Sequence, residues 1–190
     1  PRRRDHPRGT ELPDAVGAMA IEKHVADAFR LDEEGWARHA NPWSAWSRFA
    51  TGIPMPIVAI WSREWIGWWA VLAFAAVALW LWLNPRLFPP VDDDRGWMSR
   101  GVFGERALVE HRDLANDLIS IRRANGFNIV AGLGLIPLAY GLWMLDPVAT
   151  IAGASISVAG KMFFIGEMVR LYDRLKVAHP ELAYRVWERS

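Results

Sequence analysis

The sequence predicts an all-α membrane protein: four transmembrane helices paired as two antiparallel hairpins, with amphipathic helices on the cytoplasmic side. Three observations carry this reading. Residues 65–83 and 127–145 are each 19 residues without a charge, and as helices they span about 28 Å, close to the hydrocarbon thickness of a bilayer. Charge is confined to three blocks: eight basic and eight acidic residues in 1–48, seven of each in 84–126, and five basic with four acidic in 162–190. The connections inside each apolar pair are also very short, Ser62-Arg63-Glu64 and Asp146-Pro147, which makes the joined helices antiparallel neighbours. The mean hydropathy of +0.05 is thus an average over two very different kinds of sequence.

The elements follow in order. Residues 1–40 form an N-terminal arm and a helix. Pro1 to Pro13, with Arg2, Arg3 and Arg4, reads as a plain tail or an arm attracted to anionic lipid. Ile21, Val25, Ala28 and Phe29 recur at i, i+4, i+7 and i+8, the face of an amphipathic surface helix. With about 40 largely polar residues ahead of the first apolar run, no secretory leader is expected.

The first hairpin occupies 41–83. Its first span starts with Asn41 as N-cap and Pro42 in the first turn. Arg48 sits close enough to one end to carry its charge back to the headgroups, and Pro54 and Pro56 should kink the helix. The second span is 65–83, ended by Asn84-Pro85-Arg86 and then Pro89-Pro90.

Residues 84–126 form a cytoplasmic loop. Asp92, Asp93 and Asp94 lack the spacing of a calcium loop and read as a solvated turn. Ala107, Leu114, Leu118 and Ile121 share one face, so 105–124 is expected as one interfacial helix running into the third span, with Gly126 near the junction. Glu110, His111, Asp113 and Asp117 are the best candidate metal or acid–base cluster, but they match no strong metal motif and read more simply as solvated charges paired with Arg106 and Arg112.

The second hairpin, 127–169, ends in a span from 148 to 169 that holds Lys161 and Glu167; 170–190 is a cytoplasmic tail. Glu167 can pair with Arg170 at i, i+3. Lys161 either snorkels or binds an anionic headgroup or substrate. Ala149, Gly153 and Ser157, with Gly134 and Gly141, are small residues at spacings that let two helices approach closely, here within one chain.

In this arrangement the three charged segments lie on one side and carry 20 of the 22 Lys and Arg residues, while Arg63 alone faces the other. The positive-inside bias then makes both termini and the 84–126 loop cytoplasmic, in a bacterial inner membrane. Most of the 12 Trp residues fall near span ends, as in an aromatic belt. The rival reading is that Trp65, Trp68 and Trp69 wall a flat ligand such as a quinone or pigment.

Composition also excludes. The absence of Cys removes disulfides, iron–sulfur clusters and thiolate chemistry. A net charge of +1 argues against nucleic acid as a partner. There is no nucleophile–base pair, phosphate loop or strong metal motif, so no catalytic residue, metal or cofactor is expected.

Several phrases carry a resemblance: Asn41-Pro42-Trp43-Ser44 with Trp46 and Arg48-Phe49; Leu83-Asn84-Pro85-Arg86 with Phe88-Pro89; Ser99-Arg100-Gly101-Val102 with Gly104-Glu105-Arg106; and Gly160-Lys161 with Met168-Val169 and Leu171-Tyr172. Over residues 39–175 the chain resembles an uncharacterised prokaryotic integral-membrane family, a domain of unknown function. The resemblance implies no activity. It does mark where a site would lie, because all these phrases fall at the cytoplasmic boundary. Arg48, Arg86, Arg100, Glu105, Arg106 and Lys161, near Asn41 and Trp43, are therefore the candidate residues for a lipid or quinone headgroup. Two functional readings follow. One is a non-enzymatic accessory or interaction subunit, its partners other membrane subunits or a second copy of the chain. The other is a lipid- or quinone-directed protein or enzyme using that cluster. Membrane lipid is a partner in both, and a small transporter ranks third.

Overall fold

The computed structural model describes residues 33–182 apart from 92, and every regular element among them is helical. The basic arm, the helix holding Ile21 to Phe29, Asp92 and the last eight residues lie outside the described residues.

A short helix α1 (Glu33–His39) leads into α2 (Pro42–Gly52). The Asn41 side chain accepts from the Trp43 and Ser44 amides at 3.0 and 3.3 Å, and Pro42 starts the helix where no amide is needed. The helix stops at Gly52 and resumes as α3 (Pro54–Trp61), because Pro54 and Pro56 offer no amide to the preceding carbonyls. After α4 (Arg63–Ile66) and a single 3-10 turn (Gly67–Trp69), α5 (Ala70–Leu87) begins. Gly67 has φ 55° and ψ −130°, a conformation only glycine adopts without strain. The expected helix over 65–83 therefore starts five residues later, at Ala70. It also runs on through Pro85, stopping only where Phe88 turns extended ahead of Pro89.

α2 and α5 are joined by side chains. Ser44 Oγ donates to Asn84 Oδ1 at 3.0 Å, Asn84 Nδ2 donates to Ser47 Oγ at 2.8 Å, and Trp80 Nε1 donates to Thr51 Oγ1 at 3.1 Å. Residue numbers rise on one helix as they fall on the other. Asn84 and Ser44 are fully buried, which polar groups tolerate only when paired in this way.

The segment expected as one helix over 105–124 is three. α6 (Trp97–Glu110) starts well before Gly104, breaks at His111, and is followed by α7 (Arg112–Leu118) and then α8 (Ile121–Met144). Ser120 caps α8 by accepting from the Arg123 amide, so this helix starts six residues ahead of the apolar run. Periodicity did not register the breaks because Ala107, Leu108, Ala115, Ile119 and Ile121 all remain in one core. Leu145 turns left-handed, Asp146 caps through the Val148 and Ala149 amides at 2.8 and 3.1 Å, and α9 (Pro147–Ala178) runs for 32 residues.

α8 and α9 pack along their small residues within the chain, as expected. A Cβ on Gly134 would meet Ser157, one on Gly160 would meet the Ala131 amide at 2.6 Å, and Ser157 Oγ donates to the Ala131 carbonyl at 2.9 Å. The contact face is Thr150, Gly153, Ser157 and Gly160; Ala149 stands beside it. The core lies where α6 crosses α9, with Met168, Leu171, Tyr172 and Leu175 against Phe103, Ala107 and Leu108. Burying each large side chain there contributes about 1.5–3 kcal/mol.

Three helical stretches are long and apolar enough to cross a membrane: Pro42–Leu87 taken as one run, Ile121–Met144 and Pro147–Ala178. Taken singly, α2 and α3 are too short, because the two prolines divide them. Ile129, Leu133, Ile136 and Tyr140, one face of α8, are all more than half exposed, a surface that suits lipid rather than water.

Candidate functional site

Three of the six candidate residues come together. Arg48 on α2, Glu105 on α6 and Lys161 on α9 share a cavity of about 250 Å³ with His39, the last residue of α1. The other three are placed elsewhere, each bonded to a nearer partner. The Arg86 guanidinium stacks 4.0 Å over the Trp82 ring and donates to the Trp82 carbonyl. Arg100 donates to both carboxylate oxygens of Asp173 at 3.0 Å. Arg106, one turn before Glu110, donates to it at 2.8 Å. Among the described residues no group of three His, Asp or Glu side chains could hold a metal ion.

Glycines bring the cavity walls together. A Cβ on Gly104 would fall on the Met168 carbonyl, and one on Gly101 would lie 2.6 Å from Ile165 Cγ2. α6 therefore lies directly on α9, close enough for Lys161 Nζ to reach Glu105 Oε1 at 2.8 Å. The same ammonium sits 4.5 Å over the Phe164 ring, a favourable cation–π position. Among the described residues Arg48 is hydrogen-bonded to neutral groups: Nη1 donates to Ser44 Oγ at 2.5 Å and Nη2 to the His39 carbonyl at 2.9 Å. Its partner Ser44 is in turn fixed by Asn84, so the hydrogen bonds joining α2 to α5 also orient the cavity's arginine.

Electrostatics set the charge state. Burial, reinforced by the Arg48 cation, pushes the His39 pKa down to about 4, and Glu105 opposes this only in part. The ring is therefore neutral at pH 7. Its Nδ1 is buried without a hydrogen-bond partner among the described residues. Burial alone would raise the Glu105 pKa, but the ion pair and hydrogen bond from Lys161, helped by His39 and Arg48, hold it below the usual carboxylate range. With Arg48 and Lys161 positive and Glu105 negative, the cavity carries one net positive charge. His39 was the residue that sequence reasoning missed, since nothing local connects it to Lys161.

Other sequence expectations resolve around this cavity. Glu167, 2% exposed, accepts from Arg170 as expected, and also from Arg123 Nη2 at 2.7 Å, a partner on α8 that spacing could not reveal. Asp94 accepts from the Tyr172 hydroxyl at 2.9 Å and from Lys176. These bonds outweigh burial and keep its pKa below the ordinary carboxylate value. A second, larger and apolar cleft of about 580 Å³ lies beside Gly67 and includes Trp68, Val71 and Phe74. Trp65 and Trp69 do not line it, so the three tryptophans do not form one wall.

The model of a family of unknown function, DUF6653, matches residues 20–187. The match is wider than the 39–175 of the sequence resemblance and takes in the stretch from Ile21 to Phe29. No curated protein and no solved structure matches the chain. The chain belongs to the DUF6653 family.

Proposed function

We propose that this member of the DUF6653 family is a four-span protein of the bacterial inner membrane that binds the headgroup of a lipid or quinone, without catalysis, in the His39–Arg48–Glu105–Lys161 cavity. The observation that carries this reading is the cavity itself. Two cations from α2 and α9, one carboxylate and the His39 imidazole line one cavity at the end of the apolar stretches.

The topology has its own support. The antiparallel hydrogen bonds between α2 and α5 and the turn at Gly67 support reading Pro42–Leu87 as two spans rather than one. Twenty of the 22 basic residues then fall on one side, which the positive-inside rule assigns to the cytoplasm. Arg123, Glu167 and Arg170 lie at that same end of α8 and α9.

The test is mass spectrometry of the protein extracted gently in lipid discs, comparing wild type with Arg48→Gln and Lys161→Gln. Retention of a lipid or quinone by wild type and its loss from both variants is expected. A wild-type protein with no retained ligand, or variants that keep it unchanged, would remove the site.

An accessory-subunit reading is favoured by one feature. Gly132, in the middle of α8, has nothing from a neighbouring element within 4 Å of where its Cβ would be, leaving a close-approach surface for a further helix. The same spectra would reveal a stoichiometric partner, and Gly132→Leu should expel it.

A further inference from the structure

We infer that the ligand of this cavity is a phosphodiester monoanion, the headgroup phosphate of a membrane phospholipid, and that Glu105 is a built-in counter-charge limiting the site to one negative charge. The inference rests on the site reading above and narrows it.

Charge is the first argument. Arg48, Lys161 and Glu105 leave one uncompensated positive charge in a partly enclosed site. A neutral quinone would leave that charge unbalanced where desolvation makes it costly. A phosphate monoester carries roughly −1.5 to −2 at neutral pH and would overshoot. A phosphodiester carries one negative charge and closes the balance.

The donors point the same way. Arg48 presents five N–H groups, and its two hydrogen bonds go to Ser44 and the His39 carbonyl. Lys161 has three, with one committed to Glu105. His39 lines the same cavity and, as a neutral imidazole, offers one ring N–H. Three separate donor residues lining one small cavity suit the several oxygens of a phosphate better than the two of a carboxylate, and charge-assisted bonds of this kind are the strong ones.

Size and depth agree. About 250 Å³ is below the range of roughly 300–1,000 Å³ typical of drug-sized ligands, so a headgroup fits and acyl chains stay outside. Lys161 precedes Glu167 by six residues, about 9 Å along α9. That places the cavity just on the apolar side of the Arg123–Glu167–Arg170 cluster, where a phospholipid phosphate meets the hydrocarbon.

The experiment measures binding to the full chain in detergent by native mass spectrometry and thermal shift. The probes are short-chain phosphatidylglycerol, the matching phosphatidic acid, octanoate, soluble glycerophosphoglycerol and a short-chain ubiquinone. Phosphatidylglycerol should bind best. Arg48→Gln should weaken it at least about tenfold, and Arg48→Lys, a variant that keeps the charge if the first fails to fold, should weaken it less. Glu105→Gln, which removes the counter-charge, should shift preference toward phosphatidic acid by about tenfold. If the quinone or octanoate displaces phosphatidylglycerol, or Glu105→Gln leaves the preference unchanged, the phosphodiester assignment is overturned while the site stands. Equal binding of glycerophosphoglycerol overturns the lipid source. If no probe's binding depends on Arg48, the site reading itself fails.

Discussion

Replacing single glycines by alanine should move stability in opposite directions at Gly104 and Gly132, although both lie inside helices. In a helix interior Ala is favoured over Gly by about 0.5–1 kcal/mol. At Gly132 nothing lies within 4 Å of the new Cβ, so Gly132→Ala should collect that gain in full. At Gly104 the Cβ would fall on the backbone carbonyl of Met168, and Met168, Leu171 and Tyr172 around it are wholly buried. A carbonyl on a packed helix cannot rotate away, so α6 must shift off α9. Overpacking of this kind typically costs about 1–3 kcal/mol, and a backbone clash belongs at the upper end. The net loss is about 2 kcal/mol after the propensity gain. The two variants should thus differ by about 3 kcal/mol, and for a chain of this size each kcal/mol moves Tm by about 2–4 °C. Thermal unfolding in one detergent should place Gly132→Ala above wild type and Gly104→Ala clearly below it, some 6–12 °C under Gly132→Ala. Gly101→Ala should fall between wild type and Gly104→Ala, because its closest clash is with the Ile165 Cγ2 methyl rather than with a backbone carbonyl. A Gly104→Ala protein as stable as Gly132→Ala would refute the α6–α9 crossing.

Topology is open to a direct assay, since the chain has no cysteine: Ser62→Cys and Ser190→Cys should label with impermeant maleimide from opposite sides of the membrane, and labelling from one side would end the four-span reading. His39 should make stability pH-dependent. Its folded pKa of about 4 lies below the unfolded value of 6.5, so between these pH values the unfolded chain binds the extra proton, and acidification through that window should destabilise the fold. The loss is at most about 3 kcal/mol, at roughly 1.4 kcal/mol per pH unit; His39→Gln should flatten the pH 6.5 to 4.5 part of the Tm profile, and an unchanged profile would contradict the buried neutral imidazole. Asn84→Ala strips buried Ser44 and half-buried Ser47 of a shared partner and should cost about 1–3 kcal/mol, read as a Tm drop; no change would mean that this hydrogen-bonded link between α2 and α5 is not formed.

Much of the fold was legible in the residues themselves. Asn41 and Asp146 cap helices, Pro54 divides one, and two apolar runs mark helices long enough to cross a bilayer, because capping, missing amides and hydropathy are properties of a few consecutive residues. The Arg106–Glu110 pairing, at i, i+4, belongs to the same category and could have removed Arg106 from the candidate site at once. The breaks at His111 and Ser120 were not legible, since the short helices on either side keep their apolar residues in one core.

The sequence by itself determined that this chain is helical and rich in membrane-length apolar stretches, and that its charges gather in three blocks outside the longest of them. Only the tertiary structure decided which charged residues meet. Lys161 reaches Glu105 across 56 positions because two glycines let α6 lie against α9, and Arg48 faces them because Asn84 on a third helix fixes its Ser44 partner. A side chain's electrostatic partner is set by where the backbones cross, and that crossing is the sum of many packing contacts that no short stretch of sequence contains.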